Sequence, residues 1–307
     1  MERVLSLITT RPGRVLPAFL LASLFVAAAL AYAYFIEPNR LVVVESTINI
    51  KDLDPAFNGL RIAMVGDIHG GSNNVTEEKI RQVVALTNQQ EADVVVLLGD
   101  FVSQKHVDDP LDELPLKMPI ETIADNLVGL RARYGVYAVL GNHDGSYNAE
   151  RVASELKRIG LTVLENEVAI IEKDGRRLRL FGMKDHLSLT GGWYATSAES
   201  KRIVKEAGKG DLIVLQHSPD ILQVIAGDFL ISPELRLILA AHTHGGQVRF
   251  PILGTPIVPS GIGQKYAYGH VRDKNMDMYV TSGIGTSVLP IRFMVPPEIA
   301  VLTIRAQ

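Results

Sequence analysis

Five clusters of carboxylate, imidazole and amide side chains each follow a mainly apolar run in this sequence. In chain order they are Asp67-x-His69, Asp100, Asn142-His143-Asp144, His217 and His242-x-His244. Taken singly, an aspartate after a strand often caps the next helix, and an isolated histidine is usually structural. Capping alone does not explain why oxygen and imidazole donors recur at the same topological place. The pattern therefore predicts one site built from all five clusters.

The donor types predict divalent metal ions. Imidazole combined with carboxylate is typical of sites for manganese, iron and zinc, whereas calcium prefers oxygen ligands alone. Two such ions about 3.5–4 Å apart need a bridging anion, and the two oxygens of a carboxylate can reach separate ions. Asp67 and His69 are two positions apart at the end of a strand, so both can face one ion. We therefore expect two divalent ions: Mn²⁺, Fe²⁺ or Zn²⁺.

The elements that would carry these clusters are strands of a covered sheet. Apolar runs typical of buried strands lie at 60–65, 94–98, 137–140, 212–215 and 235–240. Helical spacing is found at 74–90, where Asn74 is the expected N-cap, and at 119–134 and 149–160. This alternation predicts an α/β fold with a largely parallel sheet, in which sites form at the carboxyl ends of strands. The connection between Asp100 and Pro119 is long enough to be a lid or specificity loop, or an insertion without a role.

Composition limits the classes of function. The chain has 307 residues, a net charge of -3 and no cysteine. Nucleic-acid-binding domains usually carry a basic excess, so no nucleic-acid partner is expected. A small anionic substrate is compatible with this charge because metal ions supply a local positive field. The lack of cysteine excludes disulfides, thiolate ligands and cysteine nucleophiles. The sequence predicts no particular protein partner.

The N-terminal region predicts a membrane anchor. Residues 15–36 form an uncharged, mainly apolar run, and about 20 such residues in a helix cross a bilayer core. Arginines at positions 3, 11 and 14 precede the run, which predicts a cytoplasmic N-terminus and an outer or periplasmic catalytic domain. A signal peptide cleaved after Ala31-Tyr32-Ala33 is the alternative. A cytoplasmic orientation of the domain also stays open.

These features predict a two-part organisation. Residues 1–40 would form the cytoplasmic tip and a single-pass anchor in the cell inner membrane. Residues 41–307 would form one catalytic domain, because no second boundary or internal repeat is visible.

The ordered motifs GDIHG, GDF, GNHD, QHSPD and HTHGGQ resemble those of the calcineurin-like metallophosphoesterases, over residues 60–304. The resemblance implies a four-layer α/β/β/α sandwich of two mixed sheets with a dinuclear site at the strand ends. It implies one metal held by Asp67, His69, Asp100 and His244, and a second held by Asp100, Asn142, His217 and His242. Asp100 would bridge them. His143 would face the substrate phosphate without binding metal, and Asp144 would orient His143. Ala241 stands where the family commonly has glycine, a change expected to leave the ligands undisturbed.

The C-terminal segments 282–287, 289–292 and 296–298 resemble a membrane-associated branch of this family. Members of that branch look like phosphodiesterases, and some related proteins act on UDP-2,3-diacylglucosamine, a precursor in lipid A biosynthesis. The resemblance implies a phosphodiesterase or pyrophosphatase in which a hydroxide bridging the metals attacks phosphorus, on a substrate that is lipid-linked. An external domain would fit phospholipid head groups, cell-wall polymers or nucleotides better. Arg292 is open between a structural and a functional role.

Two other functions remain as alternatives. One is an inactive metal-binding scaffold with the same fold, which is disfavoured because every expected ligand position is filled. The other is a phosphatase that acts on other phosphoester substrates.

Overall fold

The computed structural model describes residues 12–105, 115–185 and 192–307. Its strands are β1 (Val42–Ile50), β2 (Arg61–Val65), β3 (Val94–Leu98), β4 (Val136–Val139), β5 (Thr162–Val163), β6 (Glu167–Lys173), β7 (Arg176–Gly182), β8 (Asp211–Leu215), β9 (Leu235–Ala240), β10 (Gly269–Asp273), β11 (Met276–Val280) and β12 (Glu298–Ala306). Its α-helices are α1 (Pro12–Ala31), α2 (Glu77–Gln89), α3 (Ile120–Leu127), α4 (Asn142–Arg158), α5 (Gly192–Glu206) and α6 (Leu222–Ile225). Part of the predicted lid, residues 106–114, lies outside the described ranges.

Over these ranges the strands form two six-stranded mixed sheets. The first has the order β1-β12-β2-β3-β4-β5 and the second the order β10-β11-β9-β8-β7-β6. In the first sheet β2, β3 and β4 are parallel neighbours, and in the second β7, β8 and β9 are. The carboxyl ends of these strands therefore meet at one edge of each sheet.

Apolar packing divides the domain into four layers. One cluster, which includes Ile80 and Ile123, lies between the first sheet and helices α2, α3 and α4. A second, which includes Leu98 and Leu215, fills the space between the two sheets. A third packs α5 and α6 on the second sheet through residues such as Val204. The predicted sandwich of two mixed sheets flanked by helices is therefore confirmed.

Helix ends differ from the sequence-based expectation. Helix α2 is capped by the side chain of Thr76, which accepts a hydrogen bond from the backbone N–H of Lys79, and not by Asn74. Helix α3 ends at Leu127, because Val128 is extended and Gly129 has a left-handed φ of 90°. Helix α4 begins at Asn142, so the predicted loop residues of the Asn142 cluster lie in a first helical turn. Helix ends are set by local hydrogen bonds that hydrophobic spacing does not encode.

The expected apolar N-terminal helix is present. Helix α1 continues through a π-helical turn, Tyr32–Ile36, into a short 3₁₀ turn, Glu37–Asn39. The span Leu16–Asn39 has 24 residues and contains an 18-residue window with a mean hydropathy of 2.2, enough by length and composition to cross a bilayer. Only 6% of that window is buried against the rest of the protein.

Arg292 fixes the loop that joins β11 to β12. Its guanidinium is fully buried and donates hydrogen bonds to the carbonyl oxygens of Ser282, Gly283, Gly285 and Val295 at 2.6–3.2 Å. Burial lowers the pKa of Arg292 to about 10, which leaves the side chain protonated at neutral pH. These contacts assign Arg292 a structural role and not a functional one.

We expect Arg292→Met to destabilise the domain by about 2–4 kcal/mol, because it leaves several buried carbonyls without donors. For a domain of this size that corresponds to a fall in Tm of roughly 4–16 °C. Thermal unfolding of the full chain in mild detergent measures the shift. Arg305→Met, at an exposed position, is the control. Equal Tm values for the two variants would contradict the role assigned to Arg292.

Candidate metal centre

All five predicted clusters lie at the carboxyl ends of parallel strands. Asp67 and His69 follow β2, Asp100 follows β3, and the Asn142 cluster follows β4. His217 follows β8, and His242 and His244 follow β9. The first sheet therefore supplies the carboxylates and the second sheet most of the imidazoles, and the two sets face each other.

The carboxylate of Asp100 lies at the middle of the cluster. Its Oδ2 atom is 3.2 Å from Nε2 of His217 and 3.5 Å from Nε2 of His69. On the His69 side, Nε2 of His69 lies 3.2 Å from Nε2 of His244, and the latter is 4.0 Å from Oδ1 of Asp67. Asp67, His69 and His244 thus form a group whose donor atoms can share one ion.

A second group lies on the other side of Asp100. Nε2 of His217 is 3.2 Å from Oδ1 of Asn142 and 3.1 Å from Nδ1 of His242. Asp100, His217 and His242 have donor atoms close enough to share an ion, and the Asn142 oxygen is adjacent. His143 also lies within reach of His69 and Asp100, so distance alone does not separate it from the ligand candidates.

Two histidines have their tautomer fixed by backbone carbonyls. Nδ1 of His69 lies 3.2 Å from the carbonyl oxygen of Val102, and Nδ1 of His217 lies 2.7 Å from that of Leu98. A ring N–H that donates to a carbonyl leaves Nε2 with a lone pair, which here points toward Asp100. This outer hydrogen bond is the usual support of a metal-binding histidine.

The donor set fits divalent cations. In the neutral form that binds metal, the Nε2 lone pairs of His69 and His217 face the carboxylate of Asp100, so these acceptors need a proton or a cation between them. Among the described residues, Nδ1 of His244 is buried without a hydrogen-bond partner. A cation coordinated by Asp100 and these imidazoles would supply the positive charge.

The electrostatics of the buried groups agree with this. Burial raises the pKa of Asp67 to about 7, and the charge of Asp100 adds to the increase. Burial lowers the pKa of His69 to about 4. Burial also acts to lower the pKa of His217, but the charge of Asp100 and its hydrogen bond outweigh this and raise it to about 10. A cation bound here would therefore displace protons from the site.

Strained backbone accompanies the cluster. Five of the seven predicted ligands have left-handed φ angles, between 46° and 71°: Asp67, His69, Asp100, His242 and His244. Such angles are uncommon outside glycine and concentrate at functional sites.

Glycines allow other segments to pack directly on these residues. A Cβ at Gly283, where φ is 66°, would lie 2.6 Å from Oδ2 of Asp67, and one at Gly141 would overlap Oδ1 of Asp100. Gly66 faces the buried methyl group of Ala241, so the alanine that replaces the family glycine packs where Gly66 has no side chain.

Asp144 and His143 have different partners. The fully buried carboxylate of Asp144 accepts hydrogen bonds at 2.8–3.1 Å from the backbone N–H groups of Asp100, Phe101, Val102 and Gly141. Nδ1 of His143 lies 2.9 Å from Oε1 of Gln104, and its backbone N–H donates to Oδ1 of Asp100. Asp144 thus holds the loop that carries Asp100, whereas Gln104 contacts the ring that Asp144 was expected to orient.

Two glutamines were not assigned roles from the sequence. Gln104 lies in the connection predicted as a lid, and nothing in its sequence neighbourhood indicates the contact with His143. Gln247 ends the HTHGGQ motif, so its motif position was a usable signal. Its side chain bonds the backbone of Ser287, Leu289 and Ile291 at 2.7–3.0 Å and so holds their loop beside the site.

A cavity of about 360 Å³ opens onto the cluster. Asp100, Asn142, His143, His242 and His244 line one side of it. The other side is mainly apolar and is formed by Val248, Pro256, Ile257, Pro259, Val288 and Leu289. The cavity can therefore hold a polar group against the cluster and an apolar group beside it.

Comparisons with known proteins agree with this geometry. Residues 60–246 match the calcineurin-like phosphoesterase family. The chain is 28% identical over 278 residues to the uncharacterized metallophosphoesterase YkuE of Bacillus subtilis, covering 90% of this chain and 89% of YkuE. It is 26% identical over 287 residues to the phosphodiesterase YaeI of Escherichia coli, and the alignment covers 92% of this chain and 94% of YaeI. It is also 26% identical over 276 residues to a zebrafish (Danio rerio) transmembrane protein with a metallophosphoesterase domain. That alignment covers 88% of this chain and 58% of the zebrafish protein.

The matched region covers more than half of the chain, and the chain therefore belongs to the calcineurin-like phosphoesterase family. It is accordingly a metal-dependent phosphoester hydrolase.

We expect Asp144→Ala to lower both stability and metal content, because the backbone N–H groups around Asp100 lose their shared acceptor. The expected loss of stability is about 2–4 kcal/mol. Thermal unfolding and elemental analysis of the purified full chain measure the two effects. Glu150→Ala, an exposed carboxylate on the same helix, is the control and should change neither. Normal metal content in Asp144→Ala would show that Asp144 does not hold the Asp100 loop.

Proposed function

We propose that this protein is a membrane-anchored phosphodiesterase whose site holds two divalent cations. The observation that carries the proposal is the position of Asp100 Oδ2 between the Nε2 atoms of His69 and His217, at 3.5 and 3.2 Å. A carboxylate shared by two groups of donors is what a pair of neighbouring cations requires.

The proposed ligands follow the two groups. One ion would be held by Asp67, His69, Asp100 and His244, and the other by Asp100, Asn142, His217 and His242. Cations bound there would act as Lewis acids on the phosphoryl oxygens and offset the charge that develops in the transition state. Manganese, iron and zinc all suit this mixture of oxygen and nitrogen donors.

His143 is the proposed proton donor. It is partly exposed in the wall of the cavity, and its ring packs edge-on against His69 at 4.9 Å between centroids. The bond between Nδ1 and Gln104 fixes the ring orientation, and the backbone bond to Asp100 fixes its distance from the cluster. In this position a protonated His143 can donate to the leaving oxygen as the phosphoester bond breaks. Asp144 supports it indirectly through the backbone that carries Asp100.

A lipid-linked phosphoester is the proposed substrate class. The apolar side of the cavity, with Val288 and Leu289, suits an apolar group next to the phosphoryl group. UDP-2,3-diacylglucosamine is the most specific candidate because it combines a pyrophosphate with acyl chains. The match to a phosphodiesterase of E. coli supports diester chemistry over monoester chemistry. A phosphatase on other phosphoesters and an inactive scaffold are the alternatives, and the complete donor set disfavours the scaffold.

The proposed organisation is an anchor over residues 1–40 and a catalytic domain over 41–307. Ala33 is buried, and its carbonyl accepts a hydrogen bond from the backbone of Arg292 at 2.9 Å. This contact supports retention of the segment over signal-peptide cleavage. The arginine bias supports an external domain, and protease treatment of intact cells tests that orientation.

We expect His143→Ala to lower kcat by about 10²–10⁴-fold with metal content unchanged, because the proton donor is lost and the ligands remain. Asp100→Ala should instead lose both activity and metal, because Asp100 contacts both groups. Elemental analysis and turnover of a soluble diester measure these effects. His270→Ala, an exposed histidine on β10, is the matched control. Loss of metal in His143→Ala would make His143 a ligand, and two ions in Asp100→Ala would remove Asp100 as the bridge.

We expect the metal-loaded full chain to hydrolyse bis(p-nitrophenyl) phosphate faster than p-nitrophenyl phosphate, and to lose both activities with a chelator. Manganese should restore them. A panel with UDP-2,3-diacylglucosamine and a phospholipid then ranks the lipid substrates by kcat/KM. Faster hydrolysis of the monoester would favour the phosphatase alternative. No hydrolysis with two bound ions would favour the scaffold.

A further inference from the structure

A group of exposed apolar side chains lies on two joined loops beside the cavity, and Ile257, Val288 and Leu289 among them line it. We call this group the apolar collar, and its members are Phe250, Ile252, Leu253, Ile257, Val288 and Leu289. Val288 is 99% exposed and Ile252 is 95% exposed, which is extreme for residues of this type. Single exposed apolar residues are common, but a group of them on adjacent loops beside a binding cavity marks an interaction surface.

The collar comes from two loops that lack acidic residues. Neither residues 248–263 nor residues 284–297 contain an aspartate or a glutamate, although the chain has 34 acidic residues. Their basic residues are Arg249, which is exposed, and the buried Arg292. A surface of apolar side chains with one arginine and no carboxylate suits a lipid surface, whose head groups attract basic residues and repel acidic ones.

The collar is also continuous with the end of the apolar N-terminal helix. The ring of Phe293 lies 6.3 Å from that of Tyr32 and 6.1 Å from that of Phe250. The side chain of Asn73 donates to the carbonyl oxygens of both Tyr34 and Pro290 at 3.1 and 2.6 Å. The loop beside the cavity is therefore bonded to the segment where the helix would leave the membrane.

Backbone pairing makes this connection rigid. Phe293 pairs with the backbone of Gln247 and Arg249 at 2.8–2.9 Å, which joins the loop of Val288 to the loop of Ile252. The turn that carries Ile252 and Leu253 is closed by reciprocal hydrogen bonds between Phe250 and Gly254. Neither loop can therefore turn away from the helix end without breaking these contacts.

We propose that the apolar collar inserts into the surface of the membrane that the N-terminal helix crosses, so that the cavity takes its phosphoester from the head group of a bilayer lipid. The tips, Ile252 and Leu253, enter the acyl boundary, and Ile257, Val288 and Leu289 form the passage from lipid to metal centre. This inference rests on the proposed membrane anchor and substrate class, but the insertion itself is independent of catalysis.

The lack of native cysteine permits a direct test of depth. Ile252→Cys and Val128→Cys are labelled with an environment-sensitive fluorophore in the full chain, reconstituted into phosphatidylcholine–phosphatidylglycerol vesicles. Val128 is 58% exposed and precedes β4, at the edge opposite the site. We expect a blue-shifted emission and quenching by nitroxide-labelled lipids at position 252 and neither at position 128. Equal spectra at the two positions would overturn the insertion. A blue-shifted emission at position 252 that nitroxide-labelled lipids do not quench would instead assign the collar to a contact with protein, a second copy of this chain included. That result would also overturn the insertion.

A kinetic test addresses the substrate route. The double variant Ile252→Asp/Leu253→Asp changes residues outside the cavity lining. Because it opposes insertion, hydrolysis of a vesicle-embedded phosphodiester should fall roughly tenfold, while hydrolysis of soluble bis(p-nitrophenyl) phosphate stays unchanged. Val128→Asp is the control. Unchanged hydrolysis of the embedded substrate would overturn the route. If the wild-type chain does not hydrolyse even the soluble diester, the proposed function fails instead, and the fluorescence result still decides the insertion.

Discussion

The site depends on holding buried acceptor atoms that must share positive charge, from protons or from metal, together inside the protein. The carboxylate of Asp100 lies between the lone pairs of His69 and His217, and all three side chains are buried. Each is held from outside: the histidines by backbone carbonyls, and the Asp100 loop by the carboxylate of Asp144. Because His217 comes from the other sheet, the arrangement also requires the apolar packing between the sheets. Metal cations would replace the protons and supply this positive charge, which links the fold to the chemistry.

Much of the fold could be predicted because its central strands are continuous apolar runs that end in glycine or polar residues. These apolar runs predicted β3 and β9 with their observed bounds. They could not predict that β12, from the end of the chain, pairs with both β1 and β2, because long-range pairing leaves no local pattern. Helix ends were less predictable for the opposite reason. They depend on single hydrogen bonds, such as the one that makes Thr76 the N-cap of α2.

The candidate site was predictable in its members and less so in its supports. Motif order identified the residues that converge, because each motif follows a strand and strand ends meet at one edge. The contact of Gln104 with His143, and the close packing of Gly283 on Asp67, depend on backbone conformations. Left-handed φ angles at Asp67 and Asp100 aim their carboxylates, and the modest enrichment of aspartate at such angles is too weak to predict them. Supports of this kind depend on main-chain geometry and on contacts between distant residues, for which the sequence carries little local signal.

One loop connects the chemistry to the proposed location. Residues 282–295 pack on Asp67 through Gly283, are tied together internally by Arg292, and are bonded to the N-terminal segment through Ala33 and Asn73. The same loop supplies Val288 and Leu289 to the cavity. A displacement of the helix end would therefore reach the metal centre through a short series of backbone contacts. Because the N-terminal segment and the cavity wall share this loop, the proposed anchor would give the site a fixed orientation toward lipid without a separate docking domain.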